Sequence, residues 1–183
     1  CSCIILYCDW MWTLDGDVVP QTLAIFSTIA KALTTGELPL WNPYVWGGIP
    51  SIGALGNEAM YPINWILCLL FYDYETELLS FAMIPANICV HLLIYYVGLY
   101  CILKKIGTRP LQAGLLCCMS ILSFSFCGFL EWIVTFNSFS WTPLLIYVLW
   151  RLLESKGKKT LFFGISLAII WANLVSISIV RVL

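Results

Sequence analysis

Four stretches of the chain carry no Asp, Glu, Lys or Arg: Leu78–Leu103 (26 residues), Leu111–Leu130 (20), Trp132–Trp150 (19) and Thr160–Val180 (21). A helix rising about 1.5 Å per residue crosses roughly 30 Å of bilayer hydrocarbon in about 20 residues, so each stretch is long enough to span. A segment in hydrocarbon must satisfy its own backbone N–H and C=O groups, which selects helices over open strands. The whole composition agrees: 61% of residues are hydrophobic and 10% charged, with a mean hydropathy of +0.92. That excludes a water-soluble globular enzyme. A formal net charge of −1 leaves no basic excess for nucleic acid. The fold class expected is an all-α integral membrane protein, a multi-span helical bundle with an extracytoplasmic loop that carries interfacial amphipathic helices.

Charge sets the orientation. Seven of the nine basic residues fall in two short connections, Lys104, Lys105 and Arg109 in one and Arg151, Lys156, Lys158 and Lys159 in the other. Both connections are therefore assigned to the cytoplasmic face by the positive-inside rule. The first 77 residues hold one base, Lys31, against eight acids, and the connection between the second and third stretches holds only Glu131. Those parts face outward. The resulting organisation is the end of a truncated first span over 1–8, an extracytoplasmic segment over 9–77, and four spans near 78–103, 111–130, 132–150 and 160–180. With an apolar opening, CSCIILYC, that lacks an initiator Met, the sequence reads as part of a longer membrane protein.

Nine cysteines would suit a small disulfide framework, yet six of them, Cys68, Cys89, Cys101, Cys117, Cys118 and Cys127, sit inside apolar segments and read as small hydrophobes. With one His and no CxxC pair, a zinc site lacks ligands. Near the second span, Thr108 precedes Arg109-Pro110 and is expected to cap the helix that Pro110 begins. Pro85 is expected near the outer end of the first long span, as a possible kink.

The outer segment has its own periodicity. Val19, Leu23, Phe26, Ala30 and Leu33 recur at spacings of four and three, which predicts an amphipathic helix ended by Thr34-Thr35-Gly36. Gln21, Thr22, Thr28 and Lys31 form its polar face. A Gly/Pro-rich stretch, GELPLWNPYVWGGIPSIGALGNE, follows and predicts an ordered loop. Ala59–Tyr72, a 14-residue run that is apolar but for Asn64, is too short to span and predicts an interfacial or re-entrant helix.

Candidate chemistry lies at the outer face. Asp15-Gly-Asp17 offers two carboxylates that can coordinate a hard divalent cation, Mg or Mn, or take a proton from an acceptor hydroxyl. Asp17 can equally favour the N-terminus of the helix that follows it. Glu58 is read either as a second outer carboxylate or as a hydrated loop acid. Asn42 before Pro43 reads as a substrate-orienting group or as ordinary turn chemistry. Trp41, Tyr44 and Trp46 suit stacking on sugars or prenyl chains and suit interfacial anchoring equally. Arg181 can hold a lipid phosphate in a two-pronged geometry or snorkel at an interface. Asn87, His91 and Tyr95 recur every four residues and so line one helix face, which should turn toward other helices. As an intramembrane ionisable group, His91 is a functional candidate, with a neutral interhelical His as the alternative. Walker and dinucleotide glycine patterns do not occur, and the single His falls within a predicted span, which leaves Ser/His/Asp catalysis without support.

The order Asp17-x-x-x-Gln21, helix, GELPLWNPYVWGGIP, then Ala59-Met60-Tyr61-Pro62 before an apolar segment resembles the YfhO-type bacterial membrane proteins of the GT-C glycosyltransferase superfamily. The resemblance covers residues 9–75 by motif, with the PLWNP core and the GG-x-P after it as its specific part, and the later spans by hydropathy only. It implies a multi-pass enzyme of the bacterial plasma membrane that moves a sugar from a polyprenyl-phosphate donor to a glycopolymer or glycolipid acceptor outside. It also implies that Asp17, with Asp15 second, is the catalytic base or a metal-associated carboxylate. Gln21, Asn42, Glu58 and Arg181 are the substrate-binding candidates. The first span is almost absent from the sequence, which departs from the family pattern. The competing classes are a transporter or flippase of lipid-linked saccharides and an inactive partner subunit.

Overall fold

The computed structural model of the chain describes residues 18–44, 46–51, 58–123, 133–156, 159–160 and 162–168. They are mostly helical. Two compact units divide inside one long helix, one ending at Ile88 and the other beginning at Cys89.

The first unit opens with α1, Val18–Thr34. Its Phe26 and Ala30 are buried as the three- and four-residue spacing predicts, Ile29 is buried beside them, and Leu23 and Leu33 are half-buried. Gly36 ends it at φ +75°. There Glu37 N–H donates to Ala32 O (2.9 Å) and Gly36 N–H to Leu33 O (3.1 Å), a Schellman closure that occupies the orphan carbonyls of the last turn. A two-residue hairpin follows, β1 (Trp41–Asn42) antiparallel to β2 (Ile49–Pro50), with Trp41 opposite Pro50 and Asn42 opposite Ile49. The stretch expected to be an ordered loop is thus closed by a short ladder.

Helix α2, Pro62–Phe71, begins with Pro at its first position, where a missing N–H removes no helical bond. It packs along α1, and the Cys68 thiol donates to Phe26 O at 3.6 Å. A second small hairpin, β3 (Tyr72–Asp73) with β4 (Leu78–Leu79), leads to α3, Met83–Ile106. The turn between these strands is held by Asp73, which accepts from Glu75 N–H (3.0 Å) and from the Thr76 hydroxyl (2.8 Å). Pro85 sits at the third position of α3, where backbone N–H groups have no intrahelical acceptor, so it costs no ladder bond.

Of the described residues, α3 alone forms a helix long and apolar enough to cross a membrane. The other charge-free stretches are shorter or divided where they are described. Helix α4 runs Pro110–Ile121. The stretch read as one span over 132–150 contains two helices, α5 (Ile133–Ser140) and α6 (Thr142–Glu154), which meet at Trp141. Pro143 explains the division: it has no N–H to continue the ladder of α5, whereas within the first turn of α6 that N–H is not needed. A further helical piece covers 162–168.

The cap expected at Thr108 belongs to the preceding helix instead. Arg109 occupies the N-cap position of α4 without a side-chain cap bond. Thr108 donates from both its N–H (3.2 Å) and its hydroxyl (2.8 Å) to Leu103 O, while Gly107, at φ +98°, donates to Lys104 O. This second Schellman closure ends α3 just beyond its last lysines.

In the second unit α3 and α6 approach closely at Gly98. A Cβ added there would lie 2.5 Å from Leu144 N, so only hydrogen fits against that backbone. At the C-terminal ends of the same helices Lys105 pairs with Glu154, and the Lys105 ammonium stands 5.5 Å from the Trp150 ring centroid. That pair holds the carboxyl of Glu154 below its ordinary range, through the hydrogen bond from Lys105 first.

Candidate functional site

The first unit buries a carboxylate. Glu58 is 4% exposed, on a backbone at φ +43° just ahead of α2, a region that non-glycine residues occupy at a cost. The expectation of a hydrated loop acid is therefore corrected. Tyr61 N–H donates to Glu58 O at 3.0 Å, which folds the chain back at the start of α2. Two amides then lead to the acid: Asn87 Nδ2 donates to Asn64 Oδ1 at 2.7 Å, and Asn64 Nδ2 donates to Glu58 Oε2 at 2.5 Å. Asn64 and Asn87 are both fully buried.

Asn64 presents its NH2 to Glu58 and its carbonyl to Asn87, which donates. That is the orientation an ionised carboxylate, which only accepts, would require. Charge-assisted bonds of this kind are shorter and stronger than neutral ones, and each amide polarises the next. Burying a carboxylate without hydrogen bonds would be expensive, and these donors offset part of that cost.

Sequence reasoning placed Asn87 on an inward-facing helix surface and named Glu58, but it missed Asn64. The available signal was that Asn64 is the one polar side chain in PINWILCLLF, so it had to find a partner within the apolar packing.

Next to this chain of bonds in sequence, the β1–β2 hairpin carries no charge from Leu38 to Ser51. It exposes Trp41, Tyr44 (72%) and Trp46 (93%), and an added Cβ at Gly48 would meet the Trp41 indole at 2.5 Å. Asn42 is buried and its Oδ1 accepts from Tyr44 N–H at 3.0 Å. That is turn chemistry, the second of the two readings of Asn42.

Gln21 lies in α1, with its side chain outside the described set. Asp15, Asp17 and Arg181 lie outside the described residues, and with them the possible Mg or Mn site on the two aspartates. The described residues contain no group of three or more His, Cys, Asp or Glu able to hold a metal. Lys31, on the polar face of α1, is exposed and pairs with Glu77 at 2.8 Å.

The second unit also buries polar groups, of a different kind. His91 is fully buried with its ring 6.3 Å from that of Phe136, at 61°. Tyr95, one turn further along α3, shares a 2.7 Å hydrogen bond between its hydroxyl and that of Ser120, and its ring stacks on Phe139 at 5.8 Å. Ser140 returns its hydroxyl to Phe136 O at 2.7 Å. Asn87, His91 and Tyr95, the three positions marked by the four-residue spacing on α3, are thus all buried, as expected. No family profile, curated protein or solved structure matches the chain.

Proposed function

We propose that the protein is a multi-pass membrane glycosyltransferase of GT-C type that takes a sugar from a polyprenyl-phosphate donor at the outer face of a bacterial plasma membrane. The acceptor is a glycopolymer or glycolipid. The carrying observation is the buried, amide-held Glu58, preceded in sequence by an uncharged hairpin that exposes Trp41, Tyr44 and Trp46. Aromatic rings of this kind suit sugar faces and the membrane interface, and a carboxylate suits a sugar hydroxyl. Support for the four-span topology comes from the Lys105–Glu154 pair, which joins the two basic connections that charge assigns to one side.

In this reaction the acceptor hydroxyl oxygen attacks the anomeric carbon and its proton passes to Asp17. The bond from that carbon to the phosphate oxygen breaks, and polyprenyl phosphate leaves with the electron pair. The leaving group departs as an anion, so one base suffices where glycoside hydrolysis needs two carboxyl groups. Attack opposite the leaving group inverts the anomeric centre. The first 77 residues sum to a formal −7, from eight acids and one base, which opposes an anionic donor. A divalent cation at Asp15 and Asp17, or the Arg181 guanidinium, would offset it. Gln21 and Glu58 are the residues assigned to the substrates.

The test is transfer of labelled sugar from polyprenyl phosphate by the full-length protein in membranes, with wild type and Asp17→Asn at matched expression. Transfer lost in the variant alone supports the reading. Equal transfer by both removes Asp17 from the chemistry. If the wild type transfers nothing from several donors, the protein is a carrier of lipid-linked saccharide or a partner subunit.

A further inference from the structure

We propose that the C-terminal ends of α3 and α6 form a headgroup site for an anionic phospholipid, with the Arg151 guanidinium and the Lys105 ammonium as its phosphate-binding groups. This goes beyond the sugar-transfer reading and does not rest on it. The described residues of the two basic connections hold six bases, Lys104, Lys105, Arg109, Arg151, Lys156 and Lys159, against one acid, Glu154, a formal +5. The C-terminal ends of the two helices offset about half a charge each, so the face stays positive. A leaflet of anionic lipid is its electrostatic complement, and basic clusters at the ends of spans recruit such headgroups.

Charges that only set orientation can stay in water on loose side chains, as those of Lys156 and Lys159 do. Lys105 and Arg151 are held in place instead. Lys105 is mostly buried and pairs with one oxygen of Glu154, while Trp150 Nε1 donates to the other at 2.8 Å. Arg151, half-buried and one turn earlier on α6, acts electrostatically on the same carboxylate, and its guanidinium stands 5.2 Å from the Phe163 ring centroid. Its Nε has no hydrogen-bond acceptor among the described residues. Two cations thus share one carboxylate whose oxygens already take Lys105 and Trp150, which leaves the guanidinium to an acceptor from outside the protein. A phosphodiester fits that vacancy in charge, with one negative charge, and in shape, with two free oxygens set for the two-pronged guanidinium. Ile106 and Leu153, next to Lys105 and Glu154 in sequence, are exposed apolar side chains. Acyl chains cover such surface and a soluble phosphate does not, which selects a lipid.

The experiment titrates phosphatidylglycerol into the detergent-solubilised full-length protein and counts bound lipids by native mass spectrometry, with phosphatidylcholine and inorganic phosphate as comparisons. Wild type should bind phosphatidylglycerol about tenfold more tightly than phosphatidylcholine and should keep it against an equal concentration of inorganic phosphate. Arg151→Gln should weaken phosphatidylglycerol binding about tenfold, the size of one hydrogen bond between charged groups. Arg151→Lys keeps the charge without the fork and should lose less. Glu154→Gln removes the competing carboxylate and should tighten binding about fivefold, the effect of one nearby charge. A pair that merely tied α3 to α6 would give no such gain. Lys156→Gln and Lys159→Gln should bind nearly as wild type does.

Equal losses in Arg151→Gln, Lys156→Gln and Lys159→Gln would make the attraction diffuse and overturn the site. Equal binding of phosphatidylcholine, displacement by inorganic phosphate, or weaker binding in Glu154→Gln would each overturn it as well. If Arg151→Gln does not fold, Arg151→Lys and Glu154→Gln decide the matter in its place. Detergent leaves both ends of the spans open to lipid and the titration needs no sugar donor, so failure of the sugar-transfer reading leaves this test unaffected.

Discussion

Both units bury polar side chains among apolar helices, but they bury them in different ways. Up to Ile88 the polar chain ends on an acid, with Asn87 and Asn64 donating in sequence to Glu58. From Cys89 onward the described groups are neutral or aromatic: Tyr95 bonds Ser120, His91 meets Phe136, and Ser140 bonds its own helix. Neutral pairs between helices suffice to fix which faces meet. A buried carboxylate is a poor choice for that purpose, because two neutral partners would do it at lower desolvation cost. The contrast sets an amide-held acid in the first region against neutral interhelical pairs in the second.

The largest expected effect breaks the first region at its charge. Asn64→Leu removes one donor while leaving Glu58 buried, and should cost about 3 kcal/mol in denaturant unfolding of detergent-solubilised protein. Asn64→Leu combined with Glu58→Leu should recover much of that loss, since the buried acid is then gone. A cost below about 1 kcal/mol for Asn64→Leu alone would mean that the carboxylate does not depend on this amide.

Gly98→Ala tests close packing in the second region. Its new methyl meets the backbone of Leu144, which cannot rotate away, so a loss of about 2 kcal/mol is expected in the same assay. Tyr95→Phe is smaller, about 1 kcal/mol, and Ser120→Ala should cost no more once Tyr95 is already Phe. Additive losses from those two would show that the hydroxyls do not act as a pair.

How much of this could be read from residues alone differs between elements. Helix α1 was legible because its apolar period and its Gly36 stop point one way. The buried Asn87, His91 and Tyr95 of α3 were legible from their four-residue spacing alone, while the end of that helix was not. Glu58 was not, because a Glu after Gly and Asn in a loop ordinarily stays in water, and only the fold brings Asn64 to it. The partner of Asn64 lies 23 residues away, on another helix, where local pattern carries no information. At α5 and α6 the signal was present in Pro143, but a count of charge-free residues passes over proline. Asp15, Asp17 and Arg181 lie outside the described residues, so their part of the site rests on motif and charge.

The smallest effect belongs to the surface of the first region. Lys31 is raised above its ordinary value mainly by the hydrogen bond to Glu77, and Glu77 is lowered by the same bond. The contribution from Glu77 is present above the unfolded carboxylate value and is lost as pH falls through its lowered folded value. That from Lys31 is present below its unfolded value, near 10.5, and is lost as pH rises through the raised one. Both groups are exposed, so Lys31→Ala should move the melting temperature least of these variants and hardly at all in high salt. A large shift that persists in high salt would place this pair in a drier setting than its exposure allows.

The division between the regions is tested most directly by sugar transfer in membranes with Glu58→Gln and Tyr95→Phe, each at matched folded protein. The account predicts that Glu58→Gln impairs transfer by raising a substrate KM while Tyr95→Phe keeps near wild-type kinetics. Unimpaired transfer by Glu58→Gln, or loss of transfer by a folded Tyr95→Phe, would contradict it.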